Sequence, residues 1–561
     1  MAMTFKIEKR QPLWVTTLLA ILIATAVFGF LYGYRVLNPF EDSWIVLGYD
    51  EMDIPQHYAG WCAFQNSAWH FPLGFADTMA DGSYITYTDS IPWVAILCKA
   101  VLQCIGYTGT FQYFGLYVLL CYILQAWAAG LLVRRKTDSL WMQALSMTLL
   151  CFSPVLMERA FRHTALASQW MILLAIYAFL RCRDNGFCRY PRLFYLLALL
   201  AVGIHPYFLP LTMIFALVTT VYGMLYTRRI LYFGGAFAGN LAACLLAGIG
   251  IGAINFADSL SREGYGHYSM NLNAPFNPVS IGGYTWSALF AARPQINGNY
   301  DGFNYFGAGV MLLAVFCLIA LLWQHKLTAV LKRNAVYLVA MAWMAAFAIT
   351  NIITLDACEF VIPLPEGIVS LFGVFRASSR MFYAVFYSGV VFGLTYLCAW
   401  HKSLKTNVAT KNSGGGGWLV AALAIVVAVQ LYDLHSVIYE KHIGMQNKMQ
   451  SETILDDTAL QEKMREYECF TPEDEWRDLA VLALKNDLKT LYTVDSNGGA
   501  IHPKASAEKA QKWADLEQGN ADPYTVFETS DGDKAARLAA INPGLEIYES
   551  YGHYFLFPAQ A

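Results

Sequence analysis

The chain has 561 residues, of which 57% are hydrophobic and 14% charged, where a soluble chain carries roughly 25% charged residues. That deficit excludes a purely soluble protein, a disordered chain and a basic nucleic-acid binder, so nucleic acid is not an expected partner. The net charge of −3 conceals an asymmetry: residues 437–561 hold 12 Lys and Arg against 22 Asp and Glu, and residues 1–436 hold 26 against 19. The chain therefore divides into an apolar, mildly basic part (1–436) and an acidic, water-soluble part (437–561). Its 12 cysteines form no CxxC pair and sit mostly in apolar runs, which reads as buried thiols and not as a disulfide framework or zinc site.

A membrane-spanning helix needs ~20 mostly apolar residues. Uncharged runs of that kind lie at 11–34, 100–133, 139–157, 164–180, 193–227, 230–257, 302–325, 334–355, 381–400 and 412–432. The 193–227 run is too long for one span, and Pro206 and Pro210 near its middle turn the chain. Splitting it predicts about 11 transmembrane helices in an all-α polytopic membrane protein. The run at 11–34 is too long and too poor in cleavage signals for a secretory signal peptide, so it is expected to stay as the first span.

The distribution of basic residues orients these spans. With the N-terminus inside, inner segments hold 18 Lys and Arg and outer segments before 437 hold 8, as the positive-inside rule requires. The expected location is a bacterial cytoplasmic membrane, with the N-terminus cytoplasmic and residues 437–561 extracytoplasmic. Ile91–Gly106 is apolar but short and carries Lys99, so it reads as an amphipathic helix at the outer interface.

Three outer segments are long: from Arg35 to about Gln112, from Ala257 to about Asp301, and from Asp356 to Arg380. Long structured loops on one face point to a site on that face. In the first, Tyr58, Trp61, Phe64 and Ala68 recur at helical spacing, predicting an interfacial helix over 55–68. Asp50, Glu51 and Asp53 precede it. They read either as an acidic turn with Asp53 as helix N-cap or as a carboxylate base at the membrane surface. Asp89 reads as the N-cap of a helix started by Pro92, or as a carboxylate paired across the loop with Asp53.

Arg159, Arg162 and His163 follow the third span. The arginines either snorkel to headgroups or bind a lipid-linked phosphate, whose geometry suits guanidinium. Arg376 and Arg380, spaced i and i+4 beside Ser378 and Ser379, repeat that choice. Tyr265–Pro278 is aromatic and Asn-rich, which suits carbohydrate and equally an ordinary loop. His205, beside Pro206, is a core histidine or a site residue. In the C-terminal part, strands are expected at 489–495, 524–528 and 545–558 and helices at 505–518 and 534–541, a small α/β domain. Residues 411–418 read as a flexible inner linker.

The order of the first-loop motifs carries a resemblance. Asp50-Glu51, His57-Tyr58-Ala59, Trp61, Phe64, Ser67, Trp69, Pro72 and Tyr84-Ile85-Thr86-Tyr87-Thr88-Asp89-Ser90-Ile91-Pro92 resemble the first outer loop of GT-C superfamily glycosyltransferases. Protein O-mannosyltransferases and the lipid A aminoarabinose transferase share that layout. The resemblance covers residues 10–400 as layout and about 80 residues as motif. It implies a GT-C-like fold and an enzyme that moves a monosaccharide from a polyprenyl-phosphate carrier to an extracytoplasmic glycan, lipid or protein. It maps the base to Asp53 or Asp50, with Asp89 and His57 beside it. Arg376, Arg380, Arg159, Arg162, His163 and Lys99 become candidates for the lipid phosphate. Gln56, Tyr58, Trp61, Tyr268, Asn271 and His205 become candidates for sugar or acceptor. The resemblance permits, without requiring, a divalent cation (Mg or Mn) on Asp53 and Asp89. A ligase, or a transporter or flippase of lipid-linked saccharides, is the alternative. A transporter needs ionisable residues deep within its spans, and the runs above are uncharged.

Overall fold

A computed structural model describes residues 11–47, 53–254, 265–279, 282–296, 298–408, 416–473, 477–491 and 502–560. Each of the eleven expected spans contains a helix, but their lengths differ. Six are long and apolar enough to cross a membrane: Leu13–Tyr32, Phe114–Arg134, Thr164–Asp184, Phe208–Thr227, Ile230–Ile251 and Ser378–Leu404. Two more qualify only as bent pairs, Ala308–Trp323 with Leu327–Arg333 at 106° and Gly417–Asp433 with His435–Lys448 at 55°. At 1.5 Å per residue the remaining three, Leu140–Cys151, Leu193–Ile204 and Ala335–Ile349, reach only about 18–22 Å of a hydrocarbon layer ~30 Å thick. The chain is a multi-pass membrane protein with six such helices among the described residues, or up to eight if each bent pair is one span.

The bundle is tied internally by aromatic and amide contacts. Phe28, Tyr32, Tyr122 and Phe161 meet edge to face, and the hydroxyls of Tyr32 and Tyr122 are 3.1 Å apart. Thr16 donates to Gln143 at 2.9 Å and Gln125 to Tyr387 at 3.0 Å. At one end of the bundle basic residues gather: Arg135 pairs with Asp184, Arg183 donates to Asn334 at 2.8 Å, and Lys402 lies 3.6 Å from Asp138. The long loops occupy the other end.

On that long-loop face the predicted interfacial helix spans Asp53–Asn66, two residues earlier than its aromatic spacing suggested. Pro92–Cys104 forms the second short helix. Asp89 does not cap it: Ile91 occupies the cap position and makes no side-chain bond. Between them lies a minimal hairpin, β1 (Phe75–Ala76) with β2 (Ser83–Tyr84). A second hairpin, β3 (Ile352–Leu355) with β4 (Cys358–Val361), projects from the third long loop.

The described residues after 453 mix helices with a five-stranded sheet. The sheet runs β6 (Lys489–Thr490), β5 (Cys469–Pro472), β7 (Thr525–Thr529), β9 (His553–Phe557), β8 (Glu546–Ser550), with β5, β6 and β7 parallel and β8–β9 an antiparallel hairpin. Helices Pro503–Glu517 and Gly532–Ile541 fall where expected. Strand β5 and helix Arg477–Lys485 escaped the sequence reading; the helix buries Leu479 to Leu484 as a continuous apolar block. The expected linker at 411–418 lies largely outside the described residues, as do Asp50 and Glu51.

Candidate active site

Asp53 stands at the start of the first-loop helix, and His57 follows one turn later on the same side. One Asp53 oxygen lies 2.8 Å from the Arg477 guanidinium, and the other lies 2.9 Å from Nδ1 of His163. Burial alone would raise the Asp53 pKa. The neighbouring His163, His57 and Arg477 overcome it and hold the carboxyl well below the usual carboxylate range.

His163 continues the chain of contacts. Its Nε2 is 3.6 Å from Asp301. Asp301 sits in the 3-10 turn Asn299–Gly302 and is buried. It pairs with Arg159 at 2.7 Å and Arg380 at 3.1 Å. Arg159 also donates to the Asp301 carbonyl at 2.8 Å and to the Tyr383 hydroxyl at 2.9 Å. The Arg159 side chain is fully buried, so its charge depends on this carboxylate. Burial would raise the Asp301 pKa, but Arg159, Arg380 and His163 hold it well below the ordinary value. Arg380 also lies over the Tyr207 ring, 4.7 Å from its centroid, and among the described residues its Nε has no hydrogen-bond partner. Asp301 is the member of this charged set that the sequence pattern did not single out. It appeared only as the end of a loop, and nothing in its local sequence marks it.

Asp89 occupies the left-handed region at φ 55°, uncommon for a residue with a Cβ. The backbone is held there by Ser90, whose hydroxyl donates to the His57 carbonyl at 2.7 Å, and by Thr88, 2.7 Å from Ser90. Gly60 makes this approach feasible: a Cβ there would stand 2.0 Å from Thr88 Oγ1. Asp89 lies 3.4 Å from Nε2 of His205. The Tyr207 amide donates to His205 Nδ1 at 3.2 Å, which assigns the ring proton to Nε2, facing Asp89. Burial keeps His205 neutral, with Arg380 acting in the same direction. Burial also pushes Asp89 up to about 6, opposed by His163, Arg380 and Arg376 and assisted by Asp53. The two first-loop carboxylates thus differ: Asp53 is held ionised between Arg477 and His163, and Asp89 titrates near neutrality.

His57 is fully buried and pushed down to about 3, mainly by that burial. It is therefore neutral, and among the described residues neither ring nitrogen has a hydrogen-bond partner. Arg376 lies over the Tyr268 ring at 5.7 Å. The structure thus gathers Asp53, His57, Asp89, Arg159, His163, His205 and Arg380 into one linked set, with Arg376 at its edge.

Other predicted site residues belong to the scaffold. Lys99 is not a phosphate ligand here: its ammonium donates to the carbonyls of Phe64, Ser67 and Ala68 at 2.8, 2.7 and 3.3 Å, closing the C-terminal end of the first-loop helix. Arg162 pairs with Glu158 one turn earlier, both buried. Tyr58 gives its hydroxyl to Asp42. Trp61 is buried and donates to the Phe111 carbonyl at 2.6 Å, so it is a core residue and not a sugar platform. Asn271 binds Asn299 at 3.2 Å and the Asp356 carbonyl at 2.9 Å, bracing the turn that carries Asp301. Gln56 is buried within the first-loop helix.

The described residues assemble no divalent-cation site on Asp53 and Asp89. Among the described residues no group of three or more His, Cys, Asp or Glu converges on a metal position. Both Asp53 oxygens already face cationic or ring-nitrogen partners.

Two solved structures resemble the chain in fold. One is the archaeal oligosaccharyltransferase AglB from Archaeoglobus fulgidus in complex with an inhibitory peptide and a dolichol-phosphate. It has 13% identity and a TM-score of 0.46, over 97% of this chain and 74% of that one. The other is ArnT from Cupriavidus metallidurans in the apo state, with 12% identity and a TM-score of 0.46, over 97% of each chain. No curated protein matches the chain in sequence. A family model does match residues 21–435, and the chain therefore belongs to the family described as Domain of unknown function (DUF6311).

Proposed function

We propose that the protein is a membrane glycosyltransferase that moves a monosaccharide from a polyprenyl-phosphate carrier to an extracytoplasmic glycan, lipid or protein. The observation that carries this reading is the linked set on the long-loop face. A carboxylate titrating near neutrality, Asp89, lies among the charges of Arg380 and Arg376, and Asp301 holds Arg380 in place. Such a set supplies what transfer from a phosphate leaving group requires, a base and a cationic anchor.

In the proposed reaction an acceptor hydroxyl or amine attacks the anomeric carbon and gives its proton to Asp89. The bond from that carbon to the phosphate oxygen breaks, and the electron pair leaves on the polyprenyl phosphate. Arg380, whose Nε lacks a partner among the described residues, and Arg376 stabilise the departing charge. Asp53, held ionised, is the weaker base of the pair and stabilises positive charge developing on the sugar. On this reading the short apolar helices complete their crossings through the segments that follow them. The topology is then eleven spans with a cytoplasmic N-terminus, and residues 437–561 form an extracytoplasmic domain.

The test is transfer of label from radiolabelled polyprenyl-phosphate sugars in membranes containing the protein. Transfer is expected from wild type and lost by 10²-fold or more in Asp89→Asn, the range for removing a general base. Transfer at the wild-type rate in Asp89→Asn would refute the assignment of the base.

A further inference from the structure

Among the described residues, the C-terminal part reaches the site through Arg477, which meets Asp53. Helix Arg477–Lys485 packs along the first-loop helix, and the two are fastened at points away from Asp53. At the far end Lys485 meets Asp42 at 2.6 Å, the carboxylate that also accepts from Tyr58. Asn66 donates to the Leu484 carbonyl and to Asp487, both at 2.9 Å. The first loop extends the domain's sheet: the Ala80 amide donates to Thr490 at 2.8 Å, the Thr490 amide donates to Thr78 at 3.3 Å, and Met79 bridges to Thr490 in parallel. Leu479 to Leu484 are buried in the same apolar core as Ile54 and Trp61. The helix is thus a fixed element, and its first residue, Arg477, meets Asp53 at 2.8 Å.

Arg477 differs from the arginines around Asp301. Its side chain is 31% exposed, whereas that of Arg159 is 0% exposed. The contact is not needed to bury a charge, and the docking of the domain rests on the other fastenings. What the contact does is restrict a carboxylate. Asp53 has one oxygen on His163 and the other on Arg477, and two charge-assisted or ring-nitrogen partners on opposite oxygens select a single carboxylate orientation. Without Arg477, that carboxylate would be held from one side only.

We propose that Arg477 is a positioning residue for Asp53, so that the C-terminal domain completes the site of its own chain. Its effect on transfer rests on the glycosyltransferase reading above; its effect on Asp53 does not. Among the described residues the groups facing Asp53 are His57 on its own helix, His163 from the turn after the third span and Arg477 from the C-terminal part, with Asp89 further across the loop.

The experiment uses the full-length protein in lipid nanodiscs, with Arg477→Gln, Arg477→Ala and Arg477→Lys. Carboxyl infrared difference spectra against Asp53→Asn follow the titration of Asp53. An adjacent arginine lowers a carboxylate pKa by ~1–3 units, and this one is partly exposed. The two neutral variants are therefore expected to raise the Asp53 titration by about 1 unit, and Arg477→Lys to retain most of the depression. Transfer of label from polyprenyl-phosphate sugars is expected to fall about tenfold in kcat in the neutral variants, with donor KM unchanged and partial rescue by lysine. An unmoved Asp53 titration in both neutral variants overturns the proposal. So does wild-type kcat in variants whose titration has moved. If wild type transfers sugar from no such donor, the glycosyltransferase reading fails, and the infrared result still decides whether Arg477 governs Asp53.

Discussion

Replacing Asp301 with asparagine removes one negative charge from between Arg159, Arg380 and His163 while preserving volume. Arg159 then keeps its bonds to the Tyr383 hydroxyl and the main-chain carbonyl of residue 301 but loses the carboxylate it pairs with at 2.7 Å. Its side chain is 0% exposed and that of Asp301 6%, so water cannot substitute. Breaking a buried pair by removing one partner costs ~3–5 kcal/mol. The surviving bonds place Asp301→Asn at the lower end, about 3 kcal/mol. Asp53→Asn loses contacts whose partners are 17% and 31% exposed and is expected to cost about 1 kcal/mol. Unfolding of the full-length protein in mixed micelles, titrated with denaturing detergent, measures both. The double variant Arg159→Met with Asp301→Asn should recover part of the loss, because the uncompensated guanidinium is gone. Because the folded Asp301 pKa is depressed, its contribution is fully present above the unfolded carboxyl value of ~3.9 and is lost as pH falls through the folded value. An Asp301→Asn penalty no larger than that of Asp53→Asn, or a double variant no more stable than the single, would refute the view of Asp301 as the keystone of the arginine pair.

Three further outcomes are expected. Asp89 has the opposite sign: its folded pKa is raised to about 6, so ionisation destabilises the fold as pH climbs from ~4 to that value. Asp89→Asn should therefore melt higher than wild type at pH 7 and equal to it near pH 4, while the acid limb of wild-type transfer falls near pH 6. Lys99→Met should cost about 2–4 kcal/mol through its lost charge-assisted bonds and leave binding of a short-chain polyprenyl phosphate unchanged at matched folded fraction. Arg376→Gln should weaken binding of that lipid roughly tenfold, the loss of one charge-assisted contact of ~1.4 kcal/mol, with little change in melting temperature. Calorimetry of lipid binding, read beside thermal melts, separates the last two.

The first-loop helix was legible because aromatic side chains recur at 3.6-residue spacing, and the short helix over Pro92–Cys104 because Lys99 breaks its apolar run. The role of Lys99 was not legible. A lone cation on an interfacial helix reads as a candidate for a lipid phosphate until the carbonyls of Phe64, Ser67 and Ala68 are seen to meet it. The same holds for Trp61 and Tyr58, which look like a carbohydrate platform in one dimension and point into the core in three. Six full-length spans follow from hydropathy alone, whereas the shortness of Leu140–Cys151, Leu193–Ile204 and Ala335–Ile349 depends on where the surrounding chain turns. Helix Arg477–Lys485 escaped because a nine-residue helix offers little more than two turns of periodicity.

Local composition and periodicity determined the membrane character, the positions of the apolar helices, the α/β pattern of the acidic C-terminal part and the loops that carry the site. Each of these depends on near neighbours in the chain, through transfer free energy and helical or strand repeat. Tertiary structure alone decided which charges meet. Asp53 is joined to Arg477 across 424 residues and Asp301 to Arg159 across 142, and Asp89 faces His205. Electrostatic pairing depends on distance in space and on the local loss of water. No pattern along the chain encodes either quantity.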